Sequence, residues 1–247
     1  MKNAVIMQAR VGSSRLHAKV LKELCGKTVL EHDVERIRQS KKVDDIIIAT
    51  TTNEEDIAIV EVAQKCGAKV FRGSEQDVLD RYYQAAKEFN VENIIRITSD
   101  CPLIDPFVID EVIEAYENGN YDIITNVPNE WETMSYPRGL DLEIFPFSWL
   151  EKAWTEATDQ YDREHVSPYI YDNAKIRFYY KYDKDYSMYR WTLDTPEDWE
   201  LIRKIYEHFY HGEHDFYFED IVEYMKANPE IANINSNVVQ KLKGNNH

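Results

Sequence analysis

The chain is short of positive charge, of cysteine and of long apolar runs, and each shortage removes a class of explanation. Its 247 residues carry 29 Lys and Arg against 45 Asp and Glu, a formal net charge of −16. Nucleic acid is held by a broad basic face, so a general nucleic-acid binder is excluded and any anion site has to be local. Cys25, Cys66 and Cys101 form an odd set without metal-ligand spacing. That argues against a disulfide framework and for a reducing, cytoplasmic compartment in which each thiol is a small buried residue. Apolar runs such as Ile46-Ile47-Ile48-Ala49 fall far short of the ~20 residues that cross a bilayer, so no membrane partner is expected. The opening apolar stretch is cut by Gln8 and Arg10 with no small-residue cleavage pattern after it, and it reads as a first strand rather than a signal peptide. Repeats, low-complexity tracts and linkers are absent.

What is present is an alternation of short strands and helices. Strand-like runs at 4–8, 45–50, 69–72, 93–98 and 121–125 alternate with helical patterns, the sign of an α/β fold with a mostly parallel, Rossmann-like sheet covered by helices. Thr52 with Glu55 three residues on predicts a capping box, and Gly67 the end of that helix. A helix over 77–89 would bury Val78, Tyr82, Ala85, Ala86 and Phe89 on one face. From about residue 126 aromatics become dense. Strand-like pieces at 141–145, 176–182 and 189–193 enclose a helical region over 149–173, and Pro196 after Thr195 predicts a helix reaching about residue 210.

The first loop reverses the sign of the chain. Residues 1–24 hold Lys2, Arg10, Arg15, Lys19 and Lys22 against Glu23 alone. In Gln8-Ala9-Arg10-Val11-Gly12-Ser13-Ser14-Arg15-Leu16-His17-Ala18-Lys19, Gly12 allows close backbone approach and Ser13 and Ser14 supply donors. Arg10 and Arg15 can fork onto phosphate oxygens, with Lys19 as a point charge. A loop leaving the carboxyl end of a strand is where open α/β sheets bind ligands. Charge alone would equally describe a solvated basic loop, and the order matches neither a Walker A loop nor a G-x-G-x-x-G turn. Two acids stand in comparable places. Asp100 follows the 93–98 run in Ser99-Asp100-Cys101-Pro102, with Pro102 keeping the residue before it extended. Asp194 follows Leu193 and precedes a helix, where an ordinary N-cap is the alternative; Asp198 in the first turn has a plain dipole explanation.

Residues 8–30 resemble the signature of the cytidylyltransferases that make CMP-Kdo and CMP-sialic acid, closest to the branch named for spore coat polysaccharide biosynthesis protein F. That signature runs A-R-x-G-S-x-R-L-P-G-K-x-L with G-K-P-L shortly after, here Gly26-Lys27-Thr28-Val29-Leu30. The likeness continues through Arg72-Gly73-Ser74-Glu75-Gln76-Asp77 to Tyr82, Thr98-Ser99-Asp100-Cys101-Pro102, Tyr136-Pro137-Arg138-Gly139-Leu140-Asp141, Arg163-Glu164-His165 and Leu193-Asp194-Thr195-Pro196. One departure stands out: His17-Ala18 replaces the usual Pro-Gly before Lys19.

The resemblance implies a nucleotide-diphospho-sugar transferase type of sheet and a magnesium-dependent transfer of a nucleotide from CTP to an acidic or phosphorylated sugar, with release of pyrophosphate, for surface polysaccharide or glycan synthesis. It implies that Ala9, Arg10, Gly12, Ser13, Arg15, Lys19, Arg72 and Ser99 hold the nucleotide, with Lys19, Arg10 and Arg15 acting in catalysis. Asp100 and Asp194 would hold Mg2+, and Asp141, Arg163 and His165 would meet the acceptor. The chain would then be one domain over 1–247, with a nucleotide-binding part at 1–125, an acceptor or dimerisation part at 126–195 and C-terminal helices at 196–247, assembled as a homodimer. Two other readings stay open on the residues alone. One is a glycosyltransferase consuming a finished nucleotide-sugar, against which the lack of an Asp-x-Asp at Asp100 counts; the other is a non-catalytic nucleotide or sugar binder.

Overall fold

The computed structural model describes residues 1–12, 15–127 and 134–239. The chain order is β1 (Asn3–Gln8), a two-strand ribbon β2 (Glu23–Leu24) and β3 (Lys27–Thr28), α1 (Val29–Ile37), β4 (Asp45–Thr51), α2 (Ile57–Lys65), β5 (Lys69–Gly73), α3 (Val78–Glu88) and β6 (Asn93–Thr98). Then come α4 (Pro106–Asn118), β7 (Ile123–Thr125), β8 (Glu143–Pro146), α5 (Phe147–Glu156), α6 (Gln160–His165), α7 (Pro168–Asn173) and β9 (Arg177–Tyr179), and last α8 (Pro196–Phe209), α9 (Phe218–Ala227) and α10 (Pro229–Ala232).

Seven strands form one sheet in the order β5-β4-β1-β6-β8-β7-β9. The first four are parallel; β8 runs antiparallel to β6 and β7, and β7 runs parallel to β9. The aromatic second half thus extends the same sheet. Because alternate strand residues face opposite sides, β1 splits its apolar residues between two cores. Val5 and Met7 pack with Ile46, Ile48, Ile95 and Ile97 toward α1, α4, α8 and α9, while Ala4 and Ile6 pack with Ile47, Ala49 and Ile94 toward α3, α5 and α7. Burial on both faces is why β1, β4 and β6 read as near-continuous apolar runs.

The chain moves outward from β1 to β4 and β5, then crosses back to pair β6 on the other side of β1, from Asn3↔Asn93 to Gln8↔Thr98. The connections after β1 and β6 therefore leave in opposite directions and open a crevice at the strands' carboxyl ends.

Several local expectations are corrected. Thr52 does not cap a helix: its N–H donates to Gly73 O (3.2 Å), extending the β4–β5 pairing, and α2 starts only after a 3-10 turn at Glu54–Asp56. Capping boxes form instead at Thr28 with Glu31 and at Thr195 with Asp198, and Asp220 reaches back to the Tyr217 amide at the start of α9. Residues 189–193 are not a strand beyond a single bridge between Arg138 and Arg190. The helical region divides into α5, α6 and α7. Cys25 is exposed, not buried: it shares with Gly26 the turn between β2 and β3, both at positive φ (48° and 84°), as a two-residue hairpin turn requires. No helix among the described residues is long and apolar enough to cross a membrane.

Candidate active site

The crevice is a cavity of about 440 Å³. Ala9, Arg10, Arg15 and Lys19 reach it from the first loop, Ser99 and Asp100 from the end of β6, Arg81 from α3, Gln160, Glu164 and His165 from α6, and Asp194 from the segment before α8. The loop is fastened from beneath by Asp56. Val11 N donates to Asp56 Oδ1 (2.7 Å), and the Thr51 hydroxyl donates to the other carboxylate oxygen. Ser99 Oγ donates to Gln8 O (2.8 Å), tying the ends of β1 and β6 together. Ala18 N closes the loop on Val11 O (3.0 Å), and Ala18 adopts the left-handed conformation (φ 51°, ψ 31°) from which the 3-10 turn Lys19–Leu21 starts. A glycine is free in that conformation, while a β-carbon costs about 1–2 kcal/mol. The related signature has Gly there; in this chain an alanine takes the left-handed conformation and bears its strain.

Lys19 Nζ bridges the two acids, 2.9 Å from Asp100 Oδ2 and 2.8 Å from Asp194 Oδ1. Asp194 Oδ2 also faces Arg15 Nη2 and Arg190 Nη2, each at 3.0 Å. The backbone brings the acids together: Leu193 N and Thr192 Oγ1 both donate to Asp100 O (2.8 and 3.2 Å). Trp191 N donates to Arg138 O (2.6 Å), and Gly139 (φ 104°) lies so close that a β-carbon there would stand 2.5 Å from the Trp191 carbonyl carbon. Burial favours the neutral acid at Asp100, but the Lys19 ammonium outweighs it and holds the carboxyl well below its ordinary range. Burial would likewise lower the Lys19 ammonium, and the two carboxylates raise it instead. Both groups are charged at neutral pH.

Asp194 is not the N-cap of α8. Thr195 takes that place, and Asp198 completes the box while receiving Asp194 N (3.0 Å) and an Arg190 Nε ion pair (3.0 Å). Asn235 Nδ2 donates to Asp198 Oδ1 (2.8 Å) and to Arg190 O (2.8 Å), so Arg190 and Asp198 form a buried clamp behind Asp194.

Four expected site residues stand outside the cavity lining. Arg72 donates to Thr51 O (2.9 Å) and Asn53 O (2.8 Å), stapling β5 to the end of β4. Arg163 grips Asp77, the N-cap of α3, through Nε (3.0 Å) and Nη2, and donates through Nη1 to Trp154 O (2.8 Å). Asp141 pairs with Arg138 Nη1 (3.3 Å) and takes Gly139 N (2.9 Å). Gly12 lies beside Glu55 and outside the cavity lining, and Ser13 lies outside the described residues. His165 does reach the cavity, against the Tyr161 ring (4.3 Å between centroids). Burial lowers its imidazolium, so it faces the cavity neutral. The next residue, Val166, holds φ 72° and ψ −58°, and Ser167 N donates to His165 O (2.8 Å): a γ-turn of the strained kind, placed where it orients His165.

The sequence pattern does not mark Arg81, Asp56 or Arg190 as site residues. Arg81 is 2% exposed, and its Nε has no hydrogen-bond partner. Its place in the Arg72–Tyr82 block was the available signal.

Among the described residues no three His, Cys, Asp or Glu side chains converge as a metal cage. Two carboxylates meeting across one cation are the donor set that magnesium takes when phosphates and water supply the rest. Asp100 and Asp194 already share a cation in Lys19, so the pair fits such an ion.

The sequence profile of the family described as cytidylyltransferase matches residues 4–223. The chain is 43% identical over 245 residues to an uncharacterized protein of Methanocaldococcus jannaschii, covering 98% of this chain and 97% of that one. It is 34% identical to the spore coat polysaccharide biosynthesis protein SpsF of Bacillus subtilis, over 92% of this chain and 95% of the relative. A solved structure described as a cytidylyltransferase from Leptospira borgpetersenii superposes with a TM-score of 0.87 at 37% identity, covering 94% and 97% of the two chains. A CMP-2-keto-3-deoxy-manno-octonic acid synthetase solved with CTP shares the fold at a TM-score of 0.63 and 18% identity, covering 84% of this chain and 99% of that one.

Proposed function

The chain belongs to the cytidylyltransferase family of nucleotidyl-transferring enzymes, and from that premise we propose that it couples cytidylate from CTP to an acidic or phosphorylated sugar, with magnesium and with release of pyrophosphate. CTP is the ligand of the synthetase that shares the fold, and the spore coat relative suggests a surface-polysaccharide precursor as product. The observation that carries the reading is the pair Asp100 and Asp194 bridged by Lys19 at the mouth of β1 and β6, with Arg10, Arg15 and Arg81 lining the same cavity.

In this reading Arg10 and Arg15 bind the triphosphate, the Ala9 and Ser99 backbone approaches the nucleoside, and Lys19 moves onto the α-phosphate to stabilise charge as the new bond forms. Magnesium held by Asp100 and Asp194 would neutralise phosphate charge and lower the acceptor hydroxyl's pKa. The acceptor oxygen bonds to the α-phosphorus, the bond to the β-phosphate oxygen breaks, and pyrophosphate leaves with that electron pair while the hydroxyl proton passes to water. Neutral His165, with Gln160 and Glu164 beside it, orients the acceptor's hydroxyls on the α6 side of the cavity. Arg163, Asp141 and Arg72 act as framework. The sheet edge at β9, where Ile176 (44%) and Phe178 (38%) are exposed, is the proposed homodimer face, which light scattering showing a monomer would remove.

Four nucleoside triphosphates assayed with magnesium against a panel of acidic and phosphorylated sugars, read by pyrophosphate release, test this function. CTP with one acidic sugar is expected to give turnover. Indifference to every triphosphate in both turnover and binding would overturn it.

A further inference from the structure

Asp194 is contacted by cations on both carboxylate oxygens, yet those cations are held in different ways. Lys19 and Arg15 come from the first loop: the lysine ends a flexible four-carbon stem, and the Arg15 side chain is 34% exposed. Arg190 is 8% exposed, and besides Asp194 it grips Asp198 through Nε and Nη2 (3.0 and 3.1 Å). Asp198 is fully buried and is itself fixed by Asn235, the Thr195 cap and the Asp194 backbone. Arg190 is thus tied into the fold through a second, buried acid, whereas the ion pairs of Lys19 and Arg15 are with Asp100 and Asp194.

We propose that Arg190 is the positioning residue that keeps Asp194 facing Asp100, and that Lys19 is an exchangeable cation which occupies the carboxylate pair until a nucleotide draws it away, so that divalent ion and nucleotide bind as partners. This rests on the reading of Asp100 and Asp194 as metal ligands. Charge balance argues for it. Lys19, Arg15 and Arg190 face Asp100, Asp194 and Asp198, three positive groups against three negative, so the pair presents no excess negative charge to a divalent ion arriving alone. A triphosphate changes the balance: Lys19 and Arg15 gain phosphate partners, the two acids lose their cation, and the divalent ion fills the place. Coupling of this kind is reciprocal, so the ion must favour nucleotide binding by the factor with which the nucleotide favours the ion. Arg190 remains on Asp194 throughout and stops it from turning away when the ammonium leaves.

The test is Mn2+ binding followed by electron paramagnetic resonance, with and without CTP, in wild type, Lys19→Met, Arg190→Lys and Asp194→Asn, each first shown folded by circular dichroism. Wild type should bind Mn2+ weakly alone and at least tenfold more tightly with CTP beyond what free CTP–Mn2+ accounts for. Lys19→Met should bind Mn2+ alone at least tenfold more tightly than wild type and should lose most of the CTP enhancement. Arg190→Lys keeps the charge but not the two-acid grip, and should weaken Mn2+ in the CTP complex while leaving CTP binding without metal within twofold. Equal Mn2+ affinity in wild type and Lys19→Met, with Asp194→Asn still abolishing the metal signal in the CTP complex, overturns the exchange and leaves the metal site standing. An Asp194→Asn protein that binds Mn2+ like wild type in every condition overturns the metal site itself, and the exchange with it.

Discussion

Two places in this molecule bury carboxyl groups in opposite ways. At the cavity, Asp194 and Asp198 are 8% and 0% exposed, and both are gripped by arginine. On the inner face of α1, Asp33 is also fully buried, yet neither of its oxygens has a hydrogen-bond partner. Arg36, one turn on, does not reach it; that guanidinium donates to Ile104 O (2.7 Å) and Phe216 O (3.1 Å). Burial raises the Asp33 carboxyl well above its ordinary value of 3.8, and the nearby Asp100 charge adds to this. The difference lies in the cation at hydrogen-bond distance: at Asp100 the Lys19 ammonium outweighs burial and holds the carboxyl low, whereas at Asp33 no such partner stands and burial prevails.

Removing a cation from the first place should have the largest effect. Arg190→Met takes the ion-pair partner from fully buried Asp198, while Asp194 keeps Lys19 and Arg15, and breaking a buried pair from one side costs about 3–5 kcal/mol. Urea unfolding should show that loss; a change under 1 kcal/mol would mean that the acids find other partners. Next comes the acid that has no cation. Folded Asp33 keeps a proton that the unfolded chain loses above about pH 3.8, so the unfolded state is favoured increasingly as pH rises from there toward the folded value. Asp33→Asn should therefore stabilise the protein at pH 7, with the gain vanishing below pH 3.8. A pH-independent difference would show that Asp33 is not the titrating group. Asp100 has the opposite sign: its stabilising contribution is full above pH 3.8 and is lost as pH falls toward 2. The smallest effect belongs to the loop, where Ala18→Gly should add roughly 1 kcal/mol by removing left-handed strain, less whatever a freer unfolded chain takes back. Thermal unfolding would register it; a destabilised variant would mean that the Ala18 methyl packs more usefully than its conformation costs.

The sequence carried most of this arrangement where one segment decides the outcome. The isoleucine runs of β4 and β6 could only be buried strands, and Lys19, Asp100 and Asp194, read from three separate blocks, do meet in one cavity. Legibility ended where a side chain's partner lies far off in the chain. Arg163 looked available for an acceptor because nothing local reveals that Asp77, 86 residues away, claims it. Nothing local marks Asp56, because the amide it anchors, Val11 N, is 45 residues upstream. Thr52 and Glu55 had the spacing of a cap, but the Thr52 amide pairs with Gly73 across the sheet, a tertiary contact that local propensity does not foresee.

What lies between Asp100 and Asp194 once a nucleotide is bound decides whether Lys19 gives way to a metal. A crystal structure of the wild-type protein with CTP and Mn2+, with data collected for manganese anomalous scattering, reads this directly. The expected result is a manganese peak shared by the two carboxylates, with Lys19 Nζ moved onto the phosphates and Arg190 still on Asp194. Manganese bound elsewhere, or Lys19 still seated between the two acids beside an ordered triphosphate, would contradict it.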